Sequence, residues 1–180
     1  MLNHSLRQRI PQIGTANRQS SCRVTRLHPA ADAAGSPKYN RSMTTHHALS
    51  VKQPWAALLA AGIKTIEVRR WPTARRGRIL IHASRVPDER RQAWEHVPKE
   101  WLETAQLLGG IVGVGELIDC RTYRTSDEFQ VDTRRHLNDP SWFEPRTYGF
   151  VFDKLQVLPF RRYPGWLRFF AVDIPATEGE

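Results

Sequence analysis

Two stretches of the chain alternate with period two, and they constrain the fold more than any other feature. In residues 64–71, Ile66 and Val68 face one way, and Thr65, Glu67, Arg69 and Trp71 the other. In residues 78–84, Ile79, Ile81 and Ala83 oppose Arg78, Leu80, His82 and Ser84. Strict alternation over such lengths is the pattern of a half-buried β-strand. A basic loop containing Pro72 and Gly77 joins the two. The chain therefore has to build a sheet.

The flanking segments fill out that sheet. Residues 48–51 read as a short strand. Pro54 suits the first turn of a helix, where a missing N–H costs nothing. Residues 55–61 are apolar and rich in Ala and Leu, as in a short buried helix, and Gly62 is placed to end it in a left-handed conformation. Asp88 suits the cap of a helix running through Trp94, with Pro98 interrupting before a second piece over 100–108. Residues 110–120 form a strongly apolar strand, in which Gly113 and Gly115 mark bulges or close backbone approach. Ser126 suits the cap of a helix to about Leu137, and Asn138-Asp139-Pro140 is a turn signal. Residues 148–158 and 167–174 read as the closing strands. This order predicts an α+β domain: a curved mixed sheet or small barrel with peripheral helices.

Charge is unevenly distributed along the chain. The 180 residues carry a net +9, and residues 1–42 hold seven Lys/Arg against one acid. Those residues show no periodicity and read as a disordered, basic N-terminal segment. A transit peptide, a basic nucleic-acid arm and an extension upstream of a true start at Met43 all fit them. The expected division is a disordered segment over 1–45, a folded domain over 46–175 and a polar tail over 176–180. Residues 43–180 keep only a modest positive excess, so a polyanionic partner requires local clustering of cations. No apolar run reaches the roughly 18 residues of a membrane span. Cys22 and Cys120 provide neither metal spacing nor a disulfide framework. A reduced cytoplasmic setting, a monomer, no membrane partner, no metal and no cofactor are expected.

The segment LSVKQPWAALLAAGIKTIEVRRWPTARRGRILIHAS contains a G-x-K-x-x-E-x-R run made of Gly62, Lys64, Glu67 and Arg69. Gln53-Pro54-Trp55 opens the helix before it, and Arg76-Gly77-Arg78 leads into the next strand. In these features the chain resembles the ASCH domain family over roughly residues 47–175, in an order similar to that of the ASCH domain of a transcription coactivator. The resemblance implies a PUA-like mixed β-barrel, related to RNA-binding PUA domains and modified-base-reading YTH domains.

Those residue types suit RNA or single-stranded DNA. Lys64 and Arg69 can hold phosphate oxygens, Arg in a bidentate way. Glu67 can accept from a base amino group or orient Lys64. Trp71 lies among Arg70, Arg75, Arg76 and Arg78, and an aromatic amid arginines suits base stacking. If the two alternating strands pair, their faces line one cleft, with Lys64, Glu67 and Arg69 as its floor and Gln53, Trp71, Arg76, Arg78, His82 and Ser84 as its rim. Plainer roles fit the same residues. Lys64, Glu67 and Arg69 can form a salt-bridged surface, Trp55 and Trp71 can be core, the arginine loop can be a solvated turn, and His82 a hydrogen-bonded structural histidine.

The resemblance also admits hydrolases, as amidohydrolases of modified cytidine or ribonucleases. The amidohydrolase pattern uses a Lys, a Thr three residues later and a distant Glu. Lys64 matches the Lys and Glu116 can stand for the Glu, but Glu67 occupies the Thr position. Ion pairing with Glu67 would raise the Lys64 pKa and oppose the neutral amine that a base needs. Glu116 can equally be a paired, half-buried carboxylate. A third possibility is a non-catalytic adaptor that docks a protein partner through residues 127–142.

Overall fold

The structure, a computed structural model, describes residues 43–175. Of the expected disordered segment 1–45, residues 1–42 lie outside the described residues, as does the polar tail 176–180, whereas residues 43–45 belong to the first strand. Six strands form one mixed sheet: β1 (Met43–Val51), β2 (Ile66–Arg69), β3 (Gly77–Ala83), β4 (Gly110–Tyr123), β5 (Thr147–Arg162) and β6 (Phe169–Pro175). Their order is β2-β5-β4-β3-β1-β6. Only β1 and β3 run parallel; the other neighbours are antiparallel. β1 starts earlier than expected, because Met43, Thr44 and Thr45 pair with Pro175, Ile174 and Asp173.

This order corrects the expectation that β2 and β3 pair. β5 and β4 stand between them. The reason is the length of β5, whose 16 residues allow it to pair with β4 while Tyr148–Val151 also serves β2 on its other edge. The ladder is also not closed as a barrel would be, and β2 and β6 are its edges. The sheet nevertheless curls until those edges approach. Just after β2, Trp71 sets its ring edge-on to Phe150 of β5 and to Phe169 of β6, at 4.9 and 5.4 Å. Arg69 Nη2 donates to Ser50 O on β1 at 2.6 Å. Side chains close a seam that the backbone leaves open.

Inside the curl lies α1 (Trp55–Ala60), all six residues of which are buried. Leu58 and Leu59 pack with Leu49, Ile81 and Phe150 in the main core. Full burial of such side chains is worth about 1.5–3 kcal/mol each. Gly62 ends the helix with φ +73°, as its position predicts. A second apolar cluster, including Ala48, Leu80, Ile111, Phe170 and Val172, forms against the other side of β1 and β3. Both faces of β3 are therefore covered. Leu80 and His82, expected on an open polar face, are buried. Two-sided burial overrides the alternation read from sequence.

Local caps differ by a residue or two from expectation. Asp88 does not cap α2 (Arg91–Glu95); it accepts from Trp55 Nε1 at 2.8 Å and pairs with Arg90. α3 (Leu102–Gln106) follows a 3-10 turn at Lys99–Trp101. Thr125, not Ser126, caps α4 (Ser126–Val131) by accepting from Glu128 N. α5 (Thr133–His136) comes next and ends at left-handed Leu137. Gln53, expected on a binding rim, is wholly buried. Its Oε1 accepts from Ala57 N, and its Nε2 donates to Thr104 O and Leu107 O at 2.8 and 2.9 Å. It ties α1 to α3, and its amide has no donor left for a ligand.

Gly113 shows how tightly α1 is seated. A Cβ there would lie 2.5 Å from Ala60 Cβ and 2.8 Å from the Gln156 carbonyl. At Gly115 the nearest atom would be the movable end of the Leu155 side chain. Gly113→Ala should therefore lower the unfolding free energy by about 1–3 kcal/mol in urea denaturation. Gly115→Ala should cost less, and equal costs would show that α1 can shift to make room.

Candidate functional site

The helix end delivers Lys64 into the protein. Lys64 N donates to Leu58 O, and its ammonium, buried with the rest of the side chain, donates to His136 O at 2.6 Å. Glu67 Oε2 lies 3.6 Å from Nζ, and the Trp55 ring centroid 5.0 Å away. Glu67 is itself buried, and its other oxygen lies 3.3 Å from Arg69 Nη2. Lys64, Glu67 and Arg69 thus form a row running from the interior to the surface. Arg69 stands at the outer end, and its Nε has no hydrogen-bond partner.

Burial is the largest influence on Lys64 and brings its pKa down to about 8. Glu67 pulls it up by charge and hydrogen bonding, but less, and Arg69 adds repulsion. The upward pull expected from Glu67 is present, but in a fully buried ammonium desolvation outweighs one carboxylate.

His136 supplies the Lys64 acceptor and is itself buried. Its ring stacks on Phe129 at 4.1 Å. Asn138 N–H donates to Nδ1 at 3.0 Å, so the proton sits on Nε2 and is donated to Phe129 O at 2.8 Å. Burial and the nearby Lys64 charge lower the His136 pKa to about 4, against the opposing pull of the Phe129 carbonyl. Thr65 N–H donates to Arg135 O, which fixes α5 against the start of β2.

Three adjoining depressions meet at Arg69. The first, about 210 Å³, has Lys64, Glu67, Trp55, Lys52, Asp88, Arg90 and Asn138 on its walls. The second continues past Arg90 and Asn138 to Trp71, Trp142 and Glu144. The third, about 550 Å³, shares Lys52 with the first and extends along Ser50, His82, Ser84, Arg85, Trp166 and Arg168. Arg69 lines all three. The curl of the sheet thus brings Arg69 and Trp71 into one groove with His82 and Ser84, although β2 and β3 do not pair.

Other expected residues lie apart. Arg76 pairs with Asp119, and Arg78 stands opposite Glu116 in the β3–β4 ladder, at the far end of β3 from Ser84. Neither lines these depressions. Glu116 is partly exposed, pairs with Lys154 at 2.8 Å and does not line the depression that holds Lys64. His82 is held by Ser50 Oγ at 3.2 Å and Tyr163 O at 3.0 Å. Trp71 is engaged by Phe150, by Phe169 and by Arg168 over its ring. Lys52, Arg90, Trp142, Trp166 and Arg168 were not visible as site residues, because only the curl assembles them. Among the described residues no group of three metal-ligating side chains forms, and no helix is long and apolar enough to cross a membrane.

The ASCH domain family model matches residues 49–159. Activating signal cointegrator 1 from Homo sapiens is 34% identical over 111 residues, covering 53% of this chain and 18% of that protein. Its Mus musculus counterpart is 36% identical over 93 residues, covering 44% of this chain and 15% of that protein. The chain therefore spans less than a fifth of the length of these relatives. A mutant of the ASCH protein from Zymomonas mobilis superposes with a TM-score of 0.51 at 13% identity, over 71% of this chain and 87% of its own. The unmutated Zymomonas mobilis ASCH gives 0.48 at 15% identity, over 65% and 73%. At such identities the likeness is one of fold.

Two titrations follow from the buried pair. The His136 pKa of about 4 lies below its ordinary 6.5. Between those values the unfolded chain binds the proton and the folded one does not, so stability falls as pH drops through this window. The urea midpoint should fall between neutral pH and about pH 4.5, and His136→Gln should flatten that fall. For Lys64 the unfolded chain holds the extra proton between about pH 8 and 10.5, so this group makes the fold more stable as pH rises. An NMR titration of the Lys64 Cε resonance should show a midpoint near 8; a midpoint above 10 would mean that the ammonium is hydrated.

Proposed function

The chain belongs to the ASCH domain family, and from that premise we propose that it binds nucleic acid, RNA or single-stranded DNA, along the groove that crosses Arg69. The observation that carries this is the meeting of three depressions at one guanidinium, with Lys52, Arg90 and Arg168 along their walls. The nearby acids are already engaged, Glu67 by Lys64 and Arg69, Asp88 by Arg90, and Glu144 by Arg70. The Asp88 carboxyl is held well below the usual range by its hydrogen bond to Arg90. A row of cations with balanced carboxylates suits a phosphate backbone. Arg69 is the outer member of its row, so a phosphate oxygen meets it first. The PUA-like fold favours RNA as the ligand.

One observation favours a hydrolase: Lys64 loses its proton near pH 8, within reach of a general base. Its Nζ is bonded to His136 O, however, and Glu116 is engaged elsewhere. Binding without chemistry fits this arrangement better. An adaptor role would replace direct phosphate contact with a protein partner.

The test is a titration of the chain, and of a form starting at Met43, with single-stranded RNA, single-stranded DNA and duplex DNA at about 50 and 200 mM salt. Affinity should fall steeply with salt in both forms. Lys52→Ala and Arg168→Ala should each reduce the salt slope by about one. Unchanged affinity in the double variant would sink the groove assignment. Turnover of acylated cytidine, lost in Lys64→Met, would establish the hydrolase instead.

A further inference from the structure

The turn between β5 and β6 carries the most exposed large apolar side chains near the groove. Trp166 is 55% exposed, Leu167 93%, and Val86, across the third depression, 60%. Clustered exposure of this kind marks an interaction surface. Trp166 is held in place from behind. It lies on Phe170, tilted, with ring centroids 5.6 Å apart, and meets Tyr163 at 6.5 Å.

The turn beneath it is fixed by His82. The His82 Nε2–H donates to Tyr163 O, while Nδ1 accepts from the Ser50 hydroxyl. Gly165 packs against the same ring so closely that a Cβ there would lie 2.3 Å from it. A buried histidine thus braces an exposed tryptophan. This gives His82 a positioning role at the turn.

We propose that Trp166 is a platform on which an unpaired nucleobase stacks, with its flanking phosphates held by Lys52, Arg85 and Arg168. This rests on the nucleic-acid reading above and adds a base site to it. No acid lines this depression. Its walls alternate a flat apolar surface with separated cations, which complements a strand alternating bases and phosphates. An acidic peptide would match the cations and leave the indole without a partner. A duplex keeps its bases stacked on one another and cannot offer one.

The test uses the full chain and a fluorescent single-stranded RNA of about twelve nucleotides, with the duplex of the same sequence alongside. Trp166→Ala should weaken single-strand binding about tenfold or more and leave the salt slope unchanged, while Trp166→Phe should retain most of the affinity. Duplex binding should not change. With 4-thiouridine in the strand, photocrosslinking of the unaltered chain should map to the peptide containing Trp166, independently of how the variants fold. If Lys52→Ala weakens binding, Trp166→Ala does not, and crosslinks fall elsewhere, the platform is wrong and the groove stands. Displacement of the RNA by polyglutamate of equal length at similar concentration would assign the surface to an acidic peptide. No binding of any strand by the unaltered chain would overturn both readings.

Discussion

The buried ammonium of Lys64 is the constraint on which the site depends. An unpaired charge in such a place would be strongly unfavourable. Its partners therefore have to be present together: the His136 carbonyl from α5 and the Glu67 carboxylate from β2. For the carbonyl to be in position, α5 must dock on β2, which it does through Thr65 N–H to Arg135 O. For α5 to dock, the His136 ring must be neutral, since Nδ1 accepts from Asn138 N–H. Asp132 completes the anchorage by accepting from Tyr123 OH at 2.8 Å and from Arg121 at 2.6 Å. Each of these steps is a requirement imposed by one charge. A buried pair of this kind contributes little net stability compared with apolar packing. What it supplies here is position, because Glu67 held by Lys64 is in turn close enough to Arg69 to orient it.

Arg69 then does two jobs at the seam of the sheet. Its Nη2 bonds Ser50 O on β1, joining β2 to a strand with which it shares no ladder. The same guanidinium is the point where the three depressions meet. Curvature of the sheet and continuity of the groove are thus the same fact seen from two sides. If the edges did not approach, the Lys64 row and the Trp166 turn would belong to separate surfaces.

Much of the fold was legible because its signals are local. The alternation around Ile66 and Ile79, the apolar helix at Trp55–Ala60 and the left-handed Gly62 depend on neighbours a few residues away. The tight seat of Gly113 was also readable from its place in an apolar strand. Strand order was not, because nothing in the pattern of β2 or β3 records that a 16-residue β5 would come between them. Gln53 and His82 misled for a related reason. Polar side chains mark an exposed face only when no second layer covers it, and here α3 and the β5–β6 turn do so. The site was half legible. The Lys64, Glu67 and Arg69 spacing lies on one short strand and its approach, whereas Lys52, Arg90 and Trp166 meet it only through curvature.

That division bears on what the G-x-K-x-x-E-x-R run does. From Lys64 onward its named residues fall in order from inside to outside. Gly62 turns the chain, Lys64 is sealed in, Glu67 is largely sealed in, and only Arg69 reaches the groove with appreciable exposure. On the proposed reading a ligand touches the last member, with Lys64 and Glu67 acting through it. Substitution at Lys64 would alter binding chiefly by leaving Glu67 with one cation fewer and releasing α5. On that reading the exposed chemistry offered to a ligand comes mainly from Arg69 and from side chains outside the run. Domains sharing the run could therefore differ in what they bind, since residues such as Lys52, Arg90 and Trp166 lie on loops and turns beyond it.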